Sequence, residues 1–319
     1  MNQPILYCHQ ELTAAQIEKL HELAPDYKII FAADPLTHDM LDNIEIMYGW
    51  DKKIGTQLLD SSTSRLFWIQ ATSAGVNHLN LKQIQQKGVL LSNGSGIHNI
   101  PITESVMGMI LGHTRGLYAS IAAQENKEWK IPETLSELSD KKMLIVGTGN
   151  IGAHLAKIAK AFNLTVFGIN RSGHHVDDFE AIFPQNEIDK ILNRMDIVVN
   201  LLPLTKETEN SYDEARFEKM KEGVVFINVG RGESVHTAAL VAALKSGKIG
   251  FAGLDVLDQE PLPATSELWE TENLLITPHI SGIAEHFKKR LFYIFETNLK
   301  SILNVQKLSM NQVDLDRGY

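Results

Sequence analysis

The chain has 319 residues, more than one average domain, and two domains are the natural expectation. At 44% hydrophobic and 22% charged it has the balance of a globular chain that buries a large core without staples. A net charge of −9 with no basic run argues against nucleic acid or an anionic membrane as the main partner.

The N-terminal stretch "MNQPILYCHQ" lacks a charged start followed by a long apolar core, so it is not read as a signal peptide. No apolar run approaches the length of a membrane span. The one cysteine, Cys8, cannot build a disulfide framework. A reducing, cytoplasmic setting therefore fits, and Cys8 reads as a small buried hydrophobe.

"ILYCH" (5–9) reads as a strand. "TAAQIEKLHELA" (13–24) reads as a helix, with Thr13 and Gln16 spaced as a capping box. Further strands are expected at 28–33, 44–49, 65–72 and 88–93, with a helix over 80–88 that closes on Gly88. Strands alternating with helices suggest a parallel sheet covered on both faces. Residues 100–124 then read as one long helix with Pro101 in its first turn. The polar stretch 125–140 reads as an exposed arm.

A second alternation follows, with strands expected at 143–147, 164–169, 196–202, 224–230, 250–256 and 274–278. Six strands in this rhythm suit a doubly wound nucleotide-binding sheet. Residues 282–306 read as a closing long helix. The simplest topology inserts the second unit, 103–285, into a smaller first unit made of 1–102 and 286–319.

"MLIVGTGNIGAHLAKIAKAF" (143–162) is the most specific stretch. A strand runs into Gly147-Thr148-Gly149-Asn150-Ile151-Gly152 and then into an amphipathic helix. Gly147 permits a tight turn, Gly149 lets backbone approach a pyrophosphate, and Gly152 lets helix and strand pack closely. The free N–H groups at the helix start then face the phosphates. At the end of the next strand an NAD site usually carries Asp or Glu, but here the chain reads "INRSGHH". Asn170, Arg171 and Ser172 occupy that place. A cationic fork and a hydroxyl suit a 2′-phosphate, which favours NADP over NAD. A solvated surface arginine is the plainer alternative for Arg171.

"VVFINVGRGESV" sets Arg231 at a strand end between Gly230 and Gly232, where small neighbours leave the guanidinium open to a carboxylate. "GLDVLDQEPLP" places Asp255 at a strand end and Glu260 before Pro261. "LLITPHISG" places His279 just past a strand that Pro278 ends. All three segments follow strands of one expected sheet, so they can meet at its carboxyl edge, where open α/β sheets bind ligands. A carboxylate beside an imidazole fixes its tautomer and favours its protonated form. An arginine, a His–Glu pair and a nicotinamide are the parts needed to reduce a 2-oxo acid. The chain has 12 histidines, so each residue alone is weak evidence, and the set carries the argument.

In order and spacing, "SAGVNHL" (73–79), "GTGNIG", "LLPLTKET" (201–208), "INVGRGE" (227–233), "LDVLDQEPLP" and "TPHISG" resemble the D-isomer-specific 2-hydroxyacid dehydrogenases, especially those acting on glyoxylate and hydroxypyruvate. The resemblance implies a Rossmann cofactor domain inserted into a flavodoxin-like substrate domain, and a cleft that closes on substrate. It implies that Arg231 binds the substrate carboxylate, that His279 exchanges a proton with the carbonyl oxygen, and that Glu260 supports His279. It gives Asp255 the nicotinamide carboxamide. The backbone of Ala74, Gly75 and Val76 would meet the substrate carboxylate. Leu202, Pro203, Thr208, Val229 and Gly230 would line the cofactor groove beside His279. A homodimer built on the cofactor domain, with the 125–140 arm in the contact, is also implied. Glu260 separates the chain from the formate-oxidising branch, which carries glutamine there. Asn77 stands where many relatives carry an acid. Trp50 either narrows the pocket towards small acids or packs in the first unit's core. Relatives that serve as dinucleotide-binding corepressors, or a redox sensor on the same fold, are the alternative functional class.

Overall fold

The computed structural model describes residues 3–76, 78–132 and 135–316; Asn77 lies outside them. The chain divides into two compact units. One runs to Ile97 and resumes at Glu285, and the other is His98–Ala284.

The first unit runs β1 Ile5–Cys8, α1 Ala14–Leu23, β2 Lys28–Phe31, α2 His38–Leu41, β3 Ile44–Tyr48, α3 Lys52–Asp60, β4 Trp68–Gln70, α4 Leu81–Gln86 and β5 Leu90–Ser92. Its five strands are parallel in the order β2-β1-β3-β4-β5, which places the switch point between β1 and β3. α1 starts with the expected capping box: Gln16 N–H donates to Thr13 Oγ1 and Thr13 N–H to Gln16 Oε1. Ile5, Tyr7, Ile44, Met47 and Ile69 share one core cluster with Leu58 and Ile84 from the helices. On β3 and β4, Tyr48 and Trp68 stack on Phe295 of the returning helix Phe287–Val305, with centroids 4.2 and 5.0 Å apart. Trp50 packs on this core. A Cβ added to Gly55 of α3 would stand 2.3 Å from its ring. Cys8 is buried, and burial raises its thiol to about 12, which makes it inert.

The second unit runs α5 Asn99–Thr114, α6 Leu117–Glu125, β6 Lys142–Val146, α7 Asn150–Ala161, β7 Thr165–Asn170, β8 Ala181–Pro184, β9 Ile197–Asn200, α8 Glu214–Glu218, β10 Val224–Asn228, α9 Thr237–Lys245, β11 Ile249–Leu254 and β12 Leu274–Ile276. Its seven strands are parallel in the order β12-β11-β10-β9-β6-β7-β8. Successive side chains of a strand point to opposite faces, and the core splits accordingly. Leu144, Val146, Val198 and Phe226 join one cluster, while Met143, Ile145, Val199 and Ile227 join the other. Both faces are covered, which is why these strands read as unbroken apolar runs.

Three local expectations are corrected. The single helix over 100–124 breaks at Gly116, which adopts φ +65 and starts α6 afresh. A side chain there would also strike Pro132, 2.7 Å from the added Cβ. The short strand β8 is an addition to the expected six, since "AIFP" offers only three residues before its proline. The closing helix begins at Phe287 rather than 282. Ser281 N–H is captured by Asp255 and the Gly282 carbonyl lies 2.8 Å from His98 Nδ1, so that backbone is committed elsewhere.

Candidate active site

At the junction of β6 and α7, Gly147 has φ +111, a conformation that disfavours L side chains. A Cβ on Gly152 would lie 2.0 Å from the Gly147 carbonyl oxygen, so close helix–strand contact demands glycine there. Gly149 is different. A Cβ on it would meet nothing within 4 Å and would point into open space at the helix start. Among the described residues, no acceptor meets the N–H groups of Ile151 and Gly152. Open space beside unpaired donors at the positive end of a helix suits a pyrophosphate, so the residues fit a dinucleotide.

Asn170 ends β7 almost buried. Its Nδ2 donates to Thr148 Oγ1 at 3.0 Å and to the His174 carbonyl at 2.9 Å, and its Oδ1 accepts from Gly173 N at 2.7 Å. Asn170 therefore pins the turn that presents exposed Arg171 and Ser172. Ser172 Oγ lies 3.2 Å from His174 Nδ1. The two nearby acids are engaged elsewhere, Asp177 with His175 at 3.3 Å and Asp178 with Lys160 at 3.1 Å. After β9, Leu202 is half-buried and Pro203 exposed. Thr208 is buried, and its hydroxyl closes this loop onto the Pro203 carbonyl at 2.7 Å.

Arg231 follows β10, and its Nη1 donates to its own neighbour, the Gly230 carbonyl, at 2.7 Å. The flanking glycines serve backbone packing rather than access. A Cβ on Gly230 would lie 2.7 Å from the Leu202 carbonyl oxygen, and one on Gly232 would lie 1.9 Å from the Leu257 carbonyl carbon. A buried polar cluster that the motif reading missed shapes this turn. Asn200 Nδ2 donates to Asn228 Oδ1 and Ser234 Oγ, and both Asn228 Nδ2 and Ser234 Oγ donate to the Arg231 carbonyl. Its signal in the sequence is an asparagine ending two consecutive apolar strands, "VVN" and "FIN".

β10, β11 and β12 are neighbours, so Arg231, Asp255 and His279 all emerge from one stretch of the carboxyl edge. His279 has φ +55, an uncommon conformation for a bulky side chain. Asp255 explains how it is held. Its carboxylate is 1% exposed and accepts from Thr277 Oγ1 (2.5 Å), Ile280 N (2.9 Å), Ser281 N (3.0 Å) and Ser281 Oγ (2.5 Å). Its own carbonyl accepts His279 N–H at 2.9 Å. The turn is thus wrapped around the buried Asp255 carboxylate, with Thr277 and Ser281 as its side-chain donors.

Glu260 Oε2 lies 2.7 Å from His279 Nδ1, and Glu260 Oε1 accepts Leu257 N–H at 2.9 Å. Burial pushes the Glu260 carboxyl up, but the hydrogen bonds from His279 and Leu257 outweigh it, and the net shift is downward. A carboxylate only accepts, so Nδ1 carries a proton and Nε2 is left for exchange. Both side chains are more than a third exposed, and such a pair adds little to stability. Its value lies in orientation.

In the first unit, Ala74 and Gly75 are exposed, and a Cβ on Gly75 would meet nothing within 4 Å. Among the described residues, the N–H groups of Ala74, Gly75 and Val76 meet no acceptor. Three successive N–H groups without an acceptor suit an anion, those of Ala74 and Gly75 on exposed residues and that of Val76 on a buried one.

A doubly wound sheet, a glycine turn opening a helix, and a His–Glu pair on the same edge define a nicotinamide-dependent oxidoreductase. The chain belongs to the D-isomer-specific 2-hydroxyacid dehydrogenase family. The family model "D-isomer specific 2-hydroxyacid dehydrogenase, NAD binding domain" matches residues 107–281. The chain is 32% identical over 280 residues to a glyoxylate reductase of Thermofilum pendens, covering 85% of this chain and 81% of that protein. A family protein of known structure from Aeromonas salmonicida is 33% identical, with a TM-score of 0.76 over 99% of this chain and 100% of that one. An NADPH-dependent glyoxylate/hydroxypyruvate reductase from Sinorhizobium meliloti, solved with NADP and sulfate, is 28% identical, with a TM-score of 0.74 over 99% of this chain and 100% of that one.

Proposed function

We propose that the protein reduces a small 2-oxo acid of the glyoxylate or hydroxypyruvate type to the D-2-hydroxy acid, with NADPH preferred over NADH. The observation that carries this reading is the 2.7 Å contact between His279 and Glu260 on a turn that holds His279 at φ +55. The bound dinucleotide supplies the hydride. Arg231 grips the substrate carboxylate. His279 Nε2 gives a proton to the carbonyl oxygen as the hydride arrives at carbon, and takes it back in the oxidative direction. Glu260 holds the tautomer and balances the imidazolium charge. The N–H groups of Ala74, Gly75 and Val76 bind the carboxylate, and Asp255, its four acceptor positions filled by the His279 turn, sets that turn beside the nicotinamide rather than accepting the carboxamide directly. Asn150, Ile151 and Gly152 face the pyrophosphate, with Leu202, Pro203, Thr208, Val229 and Gly230 along the cofactor.

NADPH is favoured because Arg171 and Ser172 stand at the β7 end, while Asp177 and Asp178 are paired with His175 and Lys160. The Sinorhizobium meliloti relative, named as NADPH-dependent, supports the same choice. The substrate class rests on the reductase names of the relatives. Oxidation of NADPH and NADH by the purified protein with glyoxylate and hydroxypyruvate tests both halves. Turnover with NADH alone overturns the cofactor assignment, and no turnover on either acid overturns the substrate assignment.

We also propose a homodimer in a cytoplasmic setting. Leu117 and Ile121 of α6 and Trp129 and Ile131 of the following arm are all more than half exposed. They accompany a groove of about 660 Å³ lined by Tyr118, Ala122, Phe251 and Leu275. Exposed apolar surface of this kind favours a partner. Among the described residues, no helix is long and apolar enough to cross a membrane.

A further inference from the structure

We propose that Asn93 and Asn311 are positioning residues for substrate binding, and that the C-terminal segment 309–313 aims the N–H groups of Ala74, Gly75 and Val76. The inference rests on the reading of that turn as the carboxylate-binding turn. A peptide unit is planar and trans, so its C=O and N–H point in opposite directions. Fixing the carbonyl of one residue therefore aims the N–H of the next. All three carbonyls that matter are held. The Ser73 carbonyl accepts Gly94 N–H at 3.0 Å, which sends Ala74 N–H the other way. The Ala74 carbonyl accepts Asn93 Nδ2 at 2.9 Å, which aims Gly75 N–H. The Gly75 carbonyl accepts Ser73 Oγ at 2.7 Å, which aims Val76 N–H. Residues 93 and 94 thus supply two of the three anchors.

Those residues are themselves fastened from the C-terminal side. Asn93 is 6% exposed, and its N–H donates to the Asn311 carbonyl at 3.1 Å. Asn311 Nδ2 donates to the carbonyls of Asn93 (3.2 Å) and Ser95 (2.7 Å). Gln312 bridges Ser92, and Val313 N–H donates to the Leu91 carbonyl. Fully buried Asn298 then fixes residues 309 and 310. It donates to the Met310 carbonyl and accepts N–H groups from Ser309 and Met310, all at 3.0 Å. Asn311 sits at φ +54, which asparagine and glycine tolerate.

The test uses steady-state kinetics with glyoxylate and NADPH, together with NADPH binding by fluorescence. Asn311→Gly keeps the left-handed backbone and removes only the side chain. The KM for glyoxylate should rise roughly tenfold, with kcat within about twofold, because binding common to ground and transition state is lost. The NADPH Kd should not move. Asn93→Asp keeps an acceptor for Ser95 but loses the donor to Ala74, and should raise the same KM at least as much. Unchanged glyoxylate KM in both folded variants overturns the proposal. A parallel loss in NADPH affinity and kcat also overturns it, since that marks general loosening. A wild-type protein that neither reduces nor binds 2-oxo acids refutes the underlying reading of the turn, and this inference with it.

Discussion

Asp255→Asn isolates the device that shapes the His279 turn. The carboxylate accepts four hydrogen bonds, two of them from the backbone N–H groups of Ile280 and Ser281. An asparagine has one oxygen, so in either orientation its NH2 faces one of those two N–H donors. Leaving a buried donor unpaired costs about 1–3 kcal/mol, and the remaining bonds each weaken by roughly 1 kcal/mol when the acceptor loses its charge. Asp255 is 1% exposed, so solvent screens little of this. The expected local loss is therefore about 3–5 kcal/mol, a large share of the ~5–15 kcal/mol typical of a domain. Amide hydrogen exchange over 277–283, read by mass spectrometry, reports it directly, because the free energy of local opening sets protection. Wild-type protection of Ile280 and Ser281 in the variant would mean that the Asp255 charge does not hold this turn.

Glu260→Gln keeps the size of the side chain but removes the charge beside His279, and kcat/KM should fall by roughly tenfold or more at neutral pH. Because the Glu260 pKa is lowered on folding, its contribution to stability is present above its unfolded value and lost as pH falls through the folded one. Because the pair is more than a third exposed that acid-side loss should be small, and it should vanish in Glu260→Gln, as a pH series of melting curves would show. Gly149→Ala should leave the melting temperature of the free protein unchanged and weaken NADPH binding by roughly tenfold or more, whereas Gly152→Ala should destabilise the fold itself, since its Cβ would lie 2.0 Å from a carbonyl oxygen. Ile121→Lys should turn a dimer into a monomer, as read by solution mass.

Much of this arrangement was legible in the sequence, and the reasons are local. "MLIVGTGNIG" shows its strand, turn and helix because both faces of that strand are buried and its glycines each answer a local demand, a positive φ at Gly147, open space at Gly149 and backbone contact at Gly152. The proline after "LLIT" marked the point where His279 leaves the sheet. What stayed hidden depends on contacts distant in sequence. Asn200 reaches Ser234 across 34 residues, and Thr277 and Ser281 reach Asp255 across 22 and 26, none of which a single segment reveals. The break at Gly116 was masked because the helical pattern continues across it. Reading Gly230 and Gly232 as clearance for a ligand mistook close backbone packing for access.

The most direct test of His279 as the proton donor compares wild type with His279→Ala in the reduction of glyoxylate by NADPH, with cofactor binding measured alongside. Loss of the imidazole should lower kcat roughly 10²–10⁴-fold with NADPH binding retained. Turnover that survives the substitution unchanged would contradict that role.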